Sequence, residues 1–162
     1  MKASLRPYLP ADAPLLAAIF QESIEVLAED DYDPDQRAAW AAAGDDVAKF
    51  AKRLAGGLTI VVLADGGPVG FASLAGADKL DLLYVHPDYA GQGLGGMLAD
   101  ALEKLAGARG ATHLISDASD NAVPFFEKRG YVAQSRNTVM TGDEWLANTT
   151  MRKPLVAHGD KP

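Results

Sequence analysis

Residues 80–106 read LDLLYVHPDYAGQGLGGMLADALEKLA, and this stretch decides the fold. The apolar run at about 79–85 is typical of a β-strand, and it ends at a His-Pro pair. From 94 to 105, apolar residues recur at steps of three and four, which predicts an amphipathic helix. Glycine fills four of the six positions 91–96 between strand and helix. The glycines therefore lie at the N-terminus of a helix.

The glycine cluster is suited to binding an anion. The first N–H groups of a helix have no partner within the helix, and the helix dipole places about half a positive charge there. Amides without neighbouring side chains can approach a phosphate closely. A pyrophosphate is therefore the predicted ligand. The alternative is that the glycines only form a tight turn and let the helix pack closely on the sheet.

The segments on either side predict a chain that mixes strands and helices. Upstream, the pattern predicts a strand at 3–6, a helix after Asp12, a two-part helical stretch over 30–54, and a hairpin of strands at 58–64 and 69–75. Downstream, it predicts a strand at 112–117, a short helix at 122–128, and final strands around 131–141 and 145–154. We expect a single α/β domain over 1–156 and a flexible tail over 157–162.

Composition excludes several classes of function. The chain has 162 residues, of which 48% are apolar and 23% charged, which fits one globular domain. It has no cysteine, so thiol nucleophiles, thiolate zinc sites and iron–sulfur clusters are excluded. Fifteen Lys and Arg against 22 Asp and Glu give a net charge of −7, which disfavours general nucleic-acid binding.

Other features predict a cytoplasmic protein without a metal. No apolar run approaches the ~20 residues of a membrane span, and the first residues lack an apolar export segment. We expect neither a membrane nor a nucleic acid as partner. His86, His113 and His158 form neither an HExxH motif nor a close ligand pair, so no metal site is expected.

A nicotinamide or flavin dinucleotide is the competing ligand. Gly91, Gly93 and Gly96 match the GxGxxG pattern, and Asp117 lies about 20 residues beyond at the end of a strand. However, residues 86–90 separate the strand from the first glycine. About 70 residues follow the motif, too few for the usual series of βαβ units. No Gly-Lys-Ser/Thr follows the glycines, which excludes a P-loop.

Residues 80–106 resemble the acetyl-CoA-binding segment of the GCN5-related N-acetyltransferases, the GNAT superfamily. That family's motif is Arg or Gln, two variable residues, Gly, one variable residue, then Gly or Ala. Gly93 and Gly95 match its glycines, and Ala90 replaces the Arg or Gln. The segment DASDNAVPFFEKRGY, 117–131, is similar to a later family segment. Its DAS and PFFEKRGY residues resemble the YafP-like branch of the family most closely.

The resemblance implies a GNAT-like mixed, mostly antiparallel sheet of six to seven strands with four or five helices. It implies that the backbone of Leu83, Tyr84 and Val85 binds the pantetheine and thioester of acetyl-CoA. It assigns the diphosphate to Gly91, Gln92, Gly93, Leu94, Gly95 and Gly96. Ser119 stands at the position of a family asparagine that binds the cofactor. Phe126 stands where a family tyrosine usually protonates the departing thiolate.

Acetyl transfer to an amine requires removal of the amine proton and release of the thiolate. Asp81 is the candidate base, because it lies on the strand leading to Val85 where the family often has an acid. The alternative is a solvated strand acid. For the thiolate, the candidates are Ser119, Tyr84, Tyr131, a water molecule, or no acid at all.

Acceptor binding is the least specified step. Tyr32 and Trp40 are the candidate substrate-binding residues. Beside them lies an acidic run that either forms a wall attracting a cationic amine or is a solvated helix end: Glu29, Asp30, Asp31 and Asp33. The predicted acceptor is a small-molecule or peptide amine. The sequence leaves the oligomeric state open: GNAT domains often pair, and Trp145 with the C-terminal strands is the candidate contact for a homodimer.

The sequence therefore predicts an acetyl-CoA-dependent N-acetyltransferase that uses direct transfer in a ternary complex, since no cysteine can carry the acetyl group. The opposing hypothesis is a non-catalytic acyl-CoA-binding domain, which Phe126 favours. The dinucleotide oxidoreductase is the third hypothesis.

Overall fold

A computed structural model describes residues 2–155. The strands are β1 (Ser4–Pro7), β2 (Leu58–Ala64), β3 (Gly67–Ala75), β4 (Lys79–Val85), β5 (His113–Ser119), β6 (Val132–Thr141) and β7 (Glu144–Pro154). The helices are α1 (Ala13–Leu27), α2 (Pro34–Ala41), α3 (Val47–Ala55), α4 (Leu94–Ala108) and α5 (Val123–Lys128). The predicted flexible tail, 157–162, lies outside the described residues.

The strands form one sheet in the order β1-β2-β3-β4-β5-β7-β6. Every neighbouring pair is antiparallel except β4 and β5, which are parallel. Seven strands and five helices confirm the predicted α/β class and the mostly antiparallel sheet. The doubly wound parallel sheet expected of a dinucleotide-binding oxidoreductase is not formed by these residues.

The sheet is covered by apolar cores on both faces. On one face, α4 packs Leu98 and Leu102 against the strands. On the other face, α1 and α3 bury Phe20 and Phe50 against Phe71 of β3. No helix within residues 2–155 combines the length and apolarity needed to cross a membrane. A functional site at the sheet can therefore draw side chains from both layers.

β4 contains a bulge at Asp81. Ser73 of β3 pairs with Leu82, and the next residue, Leu74, pairs with Leu80, so Asp81 is the extra residue on β4. A bulge bends its strand and increases the local twist. Beyond it the two parallel strands separate, because β4 and β5 share the single register pair Lys79–Ile115. The sheet is thus split at its centre.

An ion pair ties β1 to the start of α1. Arg6 donates from Nη1 and Nη2 to the two carboxylate oxygens of Asp12 at 2.7 and 2.8 Å. The N–H of Leu9 donates to the same carboxylate at 2.8 Å. These hydrogen bonds, the one from Arg6 foremost, hold the pKa of Asp12 below its ordinary value. The carboxylate therefore stabilises the fold while it is ionised.

Asp12→Asn should lower the free energy of unfolding at pH 7 by about 1–2 kcal/mol, because charge-assisted hydrogen bonds to a mostly buried group are lost. A depressed folded-state pKa contributes stability above about pH 4 that disappears as pH falls below the unfolded value. The variant should therefore lose less stability than the wild type between about pH 5 and 2. Urea titrations across this range test the prediction, with exposed Asp30→Asn as the control. If Asp12→Asn and the wild type lost the same free energy of unfolding over this pH range, the prediction would be contradicted.

Candidate active site

A cavity of about 510 Å³ lies where β4 separates from β5. Its walls come from the C-terminal half of α1, from α2 and α3, from β4, from the loop before α4, and from the ends of β5, α5 and β7. Both layers of the fold therefore contribute side chains to one space. Within residues 2–155, no group of three or more His, Asp or Glu side chains is placed to hold a metal ion.

The loop before α4 presents unpaired amides to this cavity. The N–H of Met97 donates to the carbonyl of Gly93 at 3.1 Å. This bond is the first of the helix, so the N–H groups of Leu94, Gly95 and Gly96 have no partner within α4. These residues all line the cavity. They form a collar of donors at the positive end of a helix dipole, which suits a diphosphate.

The glycines of the collar serve different purposes. Gly91 and Gly93 have φ values of +75° and +83°, in the left-handed region that favours glycine. A Cβ at Gly95 would lie 3.3 Å from Cε1 of Phe125, so the missing side chain lets that ring pack against α4. The tight-turn and packing roles are therefore present, together with the free amides that an anion site requires.

The backbone of β4 is a second source of hydrogen-bonding groups. Leu83, Tyr84 and Val85 pair with β3 along one edge, and all three line the cavity. On the other edge, β4 pairs with β5 at Lys79 alone. The outer edge of 83–85 therefore faces the cavity without a sheet partner. Such an edge can pair with an extended ligand as a further strand does.

Aromatic rings form the wall on the α1 and α2 side. Tyr32 and Trp40 meet edge to face with ring centroids 5.4 Å apart, and Trp40 and Tyr84 lie 6.4 Å apart. The Tyr32 hydroxyl donates to the carbonyl of Ala147 at 2.6 Å and accepts from the N–H of Asp120 at 2.9 Å. Burial raises the pKa of the Tyr84 phenol, which is therefore neutral at pH 7.

Asp81 is held by a residue of α3. Its two carboxylate oxygens accept from Nε and Nη2 of Arg53 at 2.9 and 3.1 Å. The Asp81 side chain is 17% exposed and the Arg53 side chain 44%. The hydrogen bond with Asp81 raises the pKa of Arg53, so the guanidinium stays charged. A second ion pair on the wall joins Lys79 to Asp117 at 3.4 Å.

A family model for an acetyltransferase (GNAT) domain matches residues 28–155. The chain belongs to the GNAT family. The uncharacterised N-acetyltransferase YafP of Escherichia coli is 32% identical over 148 residues, which cover 91% of this chain and 93% of YafP. This match confirms the predicted similarity to the YafP-like branch.

Solved GNAT structures share the fold. A GCN5-related N-acetyltransferase from Rhodopseudomonas palustris superimposes with a TM-score of 0.94 and 62% identity, covering 96% of this chain and 97% of that one. The PaiA N-acetyltransferase of Thermoplasma acidophilum, crystallised with coenzyme A, has a TM-score of 0.77 and 19% identity over 95% of this chain and 99% of its own. The family resemblance seen in the sequence is therefore confirmed.

The GNAT cavity brings together most of the site residues expected from the sequence. Those on its wall are Tyr32, Trp40, Asp81, Leu83, Tyr84, Val85, Gly91, Gly93, Leu94, Gly95, Gly96 and Ser119. Gln92 is exposed and is not on the wall. Trp145, the candidate contact for a second copy, is 58% exposed beside the edge strand β6. The roles of these residues remain predictions.

Two other groups lie away from the cavity. The acidic run 29–33 contributes Tyr32 to the wall but none of its carboxylates. Asp33 instead caps α2 by accepting from the N–H of Gln36 at 2.8 Å. The Tyr131 hydroxyl donates to Glu103 at 3.1 Å and is not on the wall, so Tyr131 is not positioned to protonate a thiolate here.

Phe126 belongs to the core as well as to the site. It is 3% exposed, and its ring centroid lies 5.2 Å from that of Phe125 and 5.0 Å from that of Tyr131. Phe126 and Tyr131 are both buried in the apolar core. Phe126 also lines the cavity, and its phenyl ring has no acidic proton to donate.

Arg53 and Asn121 are among the polar wall residues that sequence reasoning missed. Arg53 lies on α3, within the stretch 30–54 for which the sequence predicted only helical structure. Asn121 lies within the quoted 117–131 segment, next to Ala122, but was not assigned a role. Its buried Oδ1 has no hydrogen-bond partner among the described residues. A buried acceptor without a protein partner is normally satisfied by a water molecule or by a ligand N–H.

Tyr32→Phe should lower the free energy of unfolding by about 1–3 kcal/mol, since the backbone groups of Ala147 and Asp120 lose their partner. Tyr89→Phe is the matched control, because the Tyr89 hydroxyl donates to Asp65 at 2.8 Å at an exposed site. We expect Tyr89→Phe to lower the free energy of unfolding by less than about 1 kcal/mol. Chemical denaturation of both variants measures the difference, and equal losses would contradict the bridging role of Tyr32.

Proposed function

We propose that this GNAT protein binds acetyl-CoA in the split between β4 and β5 and transfers the acetyl group directly to a primary amine in a ternary complex. The observation that carries the proposal is the meeting, in one cavity, of the collar amides with the unpaired edge of β4. The absence of cysteine supports direct transfer, because no thiol is available to hold the acetyl group.

The donor groups of the cavity fit coenzyme A. The N–H groups of Leu94, Gly95 and Gly96 suit its diphosphate. The edge of residues 83–85 suits the amides of an extended pantetheine arm, and the unpartnered Oδ1 of Asn121 can accept from one of them. The relative PaiA, crystallised with coenzyme A, has the same fold and supports this assignment.

Acetyl-CoA supplies an activated thioester, and the chain must supply a proton acceptor and hydrogen-bond donors. An amine of pKa about 10 is mostly protonated at pH 7. Asp81 faces the cavity and accepts its proton directly or through water. Unpaired N–H groups of β4 stabilise negative charge that develops on a carbonyl oxygen, at about 3 kcal/mol per donor in other enzymes.

Release of the thiolate is assigned to Ser119 or Tyr84. Both line the cavity and carry a hydroxyl, whereas Phe126 offers none. Ser119 ends β5 opposite Asn148 of β7, and Tyr84 lies on β4. A thiol pKa near 8.5 makes the thiolate a tolerable leaving group, so a hydrogen bond from either hydroxyl is sufficient.

Gly93→Val should weaken acetyl-CoA binding at least tenfold, because a β-branched residue resists φ of +83° and displaces the collar amides. Gly110→Val is the matched control. Gly110 has φ of +94° and open space around it, but lies past the other end of α4. Isothermal titration well below both melting temperatures measures the dissociation constants. Equal affinities in the two variants would contradict the collar as the diphosphate site.

Phe126 supports one competing function, a domain that binds acyl-CoA without transfer. Coenzyme A release, measured with amines, polyamines, amino acids and peptides, separates the two functions. Turnover of any amine supports the enzyme. Tight acetyl-CoA binding without turnover supports the binding domain.

A further inference from the structure

The charges on the cavity wall are balanced. Arg53 and Lys79 are its cationic side chains among the described residues, and Asp81 and Asp117 are its anionic ones. The carboxylates of the 29–33 run, which add to the net charge of −7, stay outside. A polyamine or a lysine side chain therefore meets no excess of negative charge at the cavity. An acceptor with one positive and one negative group matches this wall better.

The Arg53 guanidinium has N–H donors that no group within residues 2–155 uses. A guanidinium carries five N–H donors, and the Asp81 pair uses Nε and Nη2. No contact within residues 2–155 uses Nη1 of Arg53. The Arg53 side chain is half-exposed on the wall, so a ligand can reach it. A guanidinium presenting unused donors is a strong binder of carboxylates.

Arg53 and Asp81 place opposite charges in direct contact. An α-amino acid carries its ammonium and its carboxylate on the same carbon, so it can place its carboxylate against Arg53 and its ammonium against Asp81. A carboxylate on Arg53 also competes with Asp81 for the guanidinium. That competition frees a carboxylate oxygen of Asp81, which the ion pair otherwise occupies, to accept the amine proton.

The rest of this wall is aromatic and aliphatic. Trp40, Tyr84, Ile24 and Leu27 line the cavity on the side of α1 and α2. The Tyr32 hydroxyl is already hydrogen-bonded to the backbone of Ala147 and Asp120, so mainly the ring of Tyr32 is free to contact an acceptor. These surfaces suit an apolar or aromatic body on the acceptor.

We propose that the acceptor is a zwitterionic amine of the amino-acid type with an apolar or aromatic body, and that Arg53 binds its carboxylate and so determines specificity. The inference rests on the proposed function and names the acceptor class of that same site.

The test compares amines with and without a carboxylate. The second-order rate constant kcat/KM is measured with L-tryptophan and tryptamine, with L-phenylalanine and phenethylamine, with spermidine, and with a lysine peptide blocked at both ends. The proteins are the wild type, Arg53→Gln, Arg53→Lys and Lys52→Gln. Lys52 is exposed, adjacent on α3 and absent from the wall, so Lys52→Gln is the matched charge control. The dissociation constant of acetyl-CoA is measured for each protein.

The wild type should prefer each amino acid to its decarboxylated amine by at least about tenfold, the effect of one charge-assisted hydrogen bond. Arg53→Gln should reduce that ratio to about one, Arg53→Lys should restore part of it, and Lys52→Gln should leave it unchanged. Acetyl-CoA affinity should stay within about twofold throughout.

Turnover of tryptamine, spermidine or the peptide at least as fast as the amino acids would overturn the acceptor class and leave acetyl transfer standing. A preference that survives Arg53→Gln would overturn the role of Arg53. Turnover of no amine, despite normal acetyl-CoA binding, would overturn both this inference and the proposed enzyme.

Discussion

The separation of β4 from β5 is the constraint on which the site depends. The two parallel strands share one register pair, Lys79–Ile115, and the extra residue Asp81 bends β4 away after it. A continuous sheet would occupy the backbone groups of residues 83–85. The split instead leaves them facing a cavity, where unpaired polar groups favour a ligand that can complete the sheet.

The split also brings the two layers of the fold to one place. The α4 layer supplies the collar amides, and Nη1 of Arg129 lies 3.6 Å from the position that a Cβ of Gly96 would take. The α1 and α3 layer supplies aromatic rings and the Arg53–Asp81 pair. In the proposed transfer reaction, the edge of β4 lies between the acetyl-CoA side and the acceptor side of the cavity.

Short-range pattern predicted the fold and the collar well. Apolar periodicity and the glycine run act within about ten residues, so the element order and the position of residues 91–96 at a helix N-terminus could be predicted from one sequence. Asp81 pairs with a residue 28 positions away, and Tyr32 bonds to a carbonyl 115 positions away. Such contacts depend on tertiary packing, and the periodicity of apolar residues along the sequence does not predict tertiary packing. For the same reason the sequence could not decide between a cavity wall and a solvated helix end for the acidic residues of 29–33, whose carboxylates do not reach the wall.

Glycine amides can report directly on the central claim that the collar holds the diphosphate. In protein labelled with ¹⁵N-glycine, the 16 glycines give a sparse amide spectrum. Titration with coenzyme A should move the Gly95 and Gly96 amide signals furthest, with smaller changes at Gly91 and Gly93 and none at Gly66. Saturable binding that leaves the Gly95 and Gly96 signals in place would contradict this account.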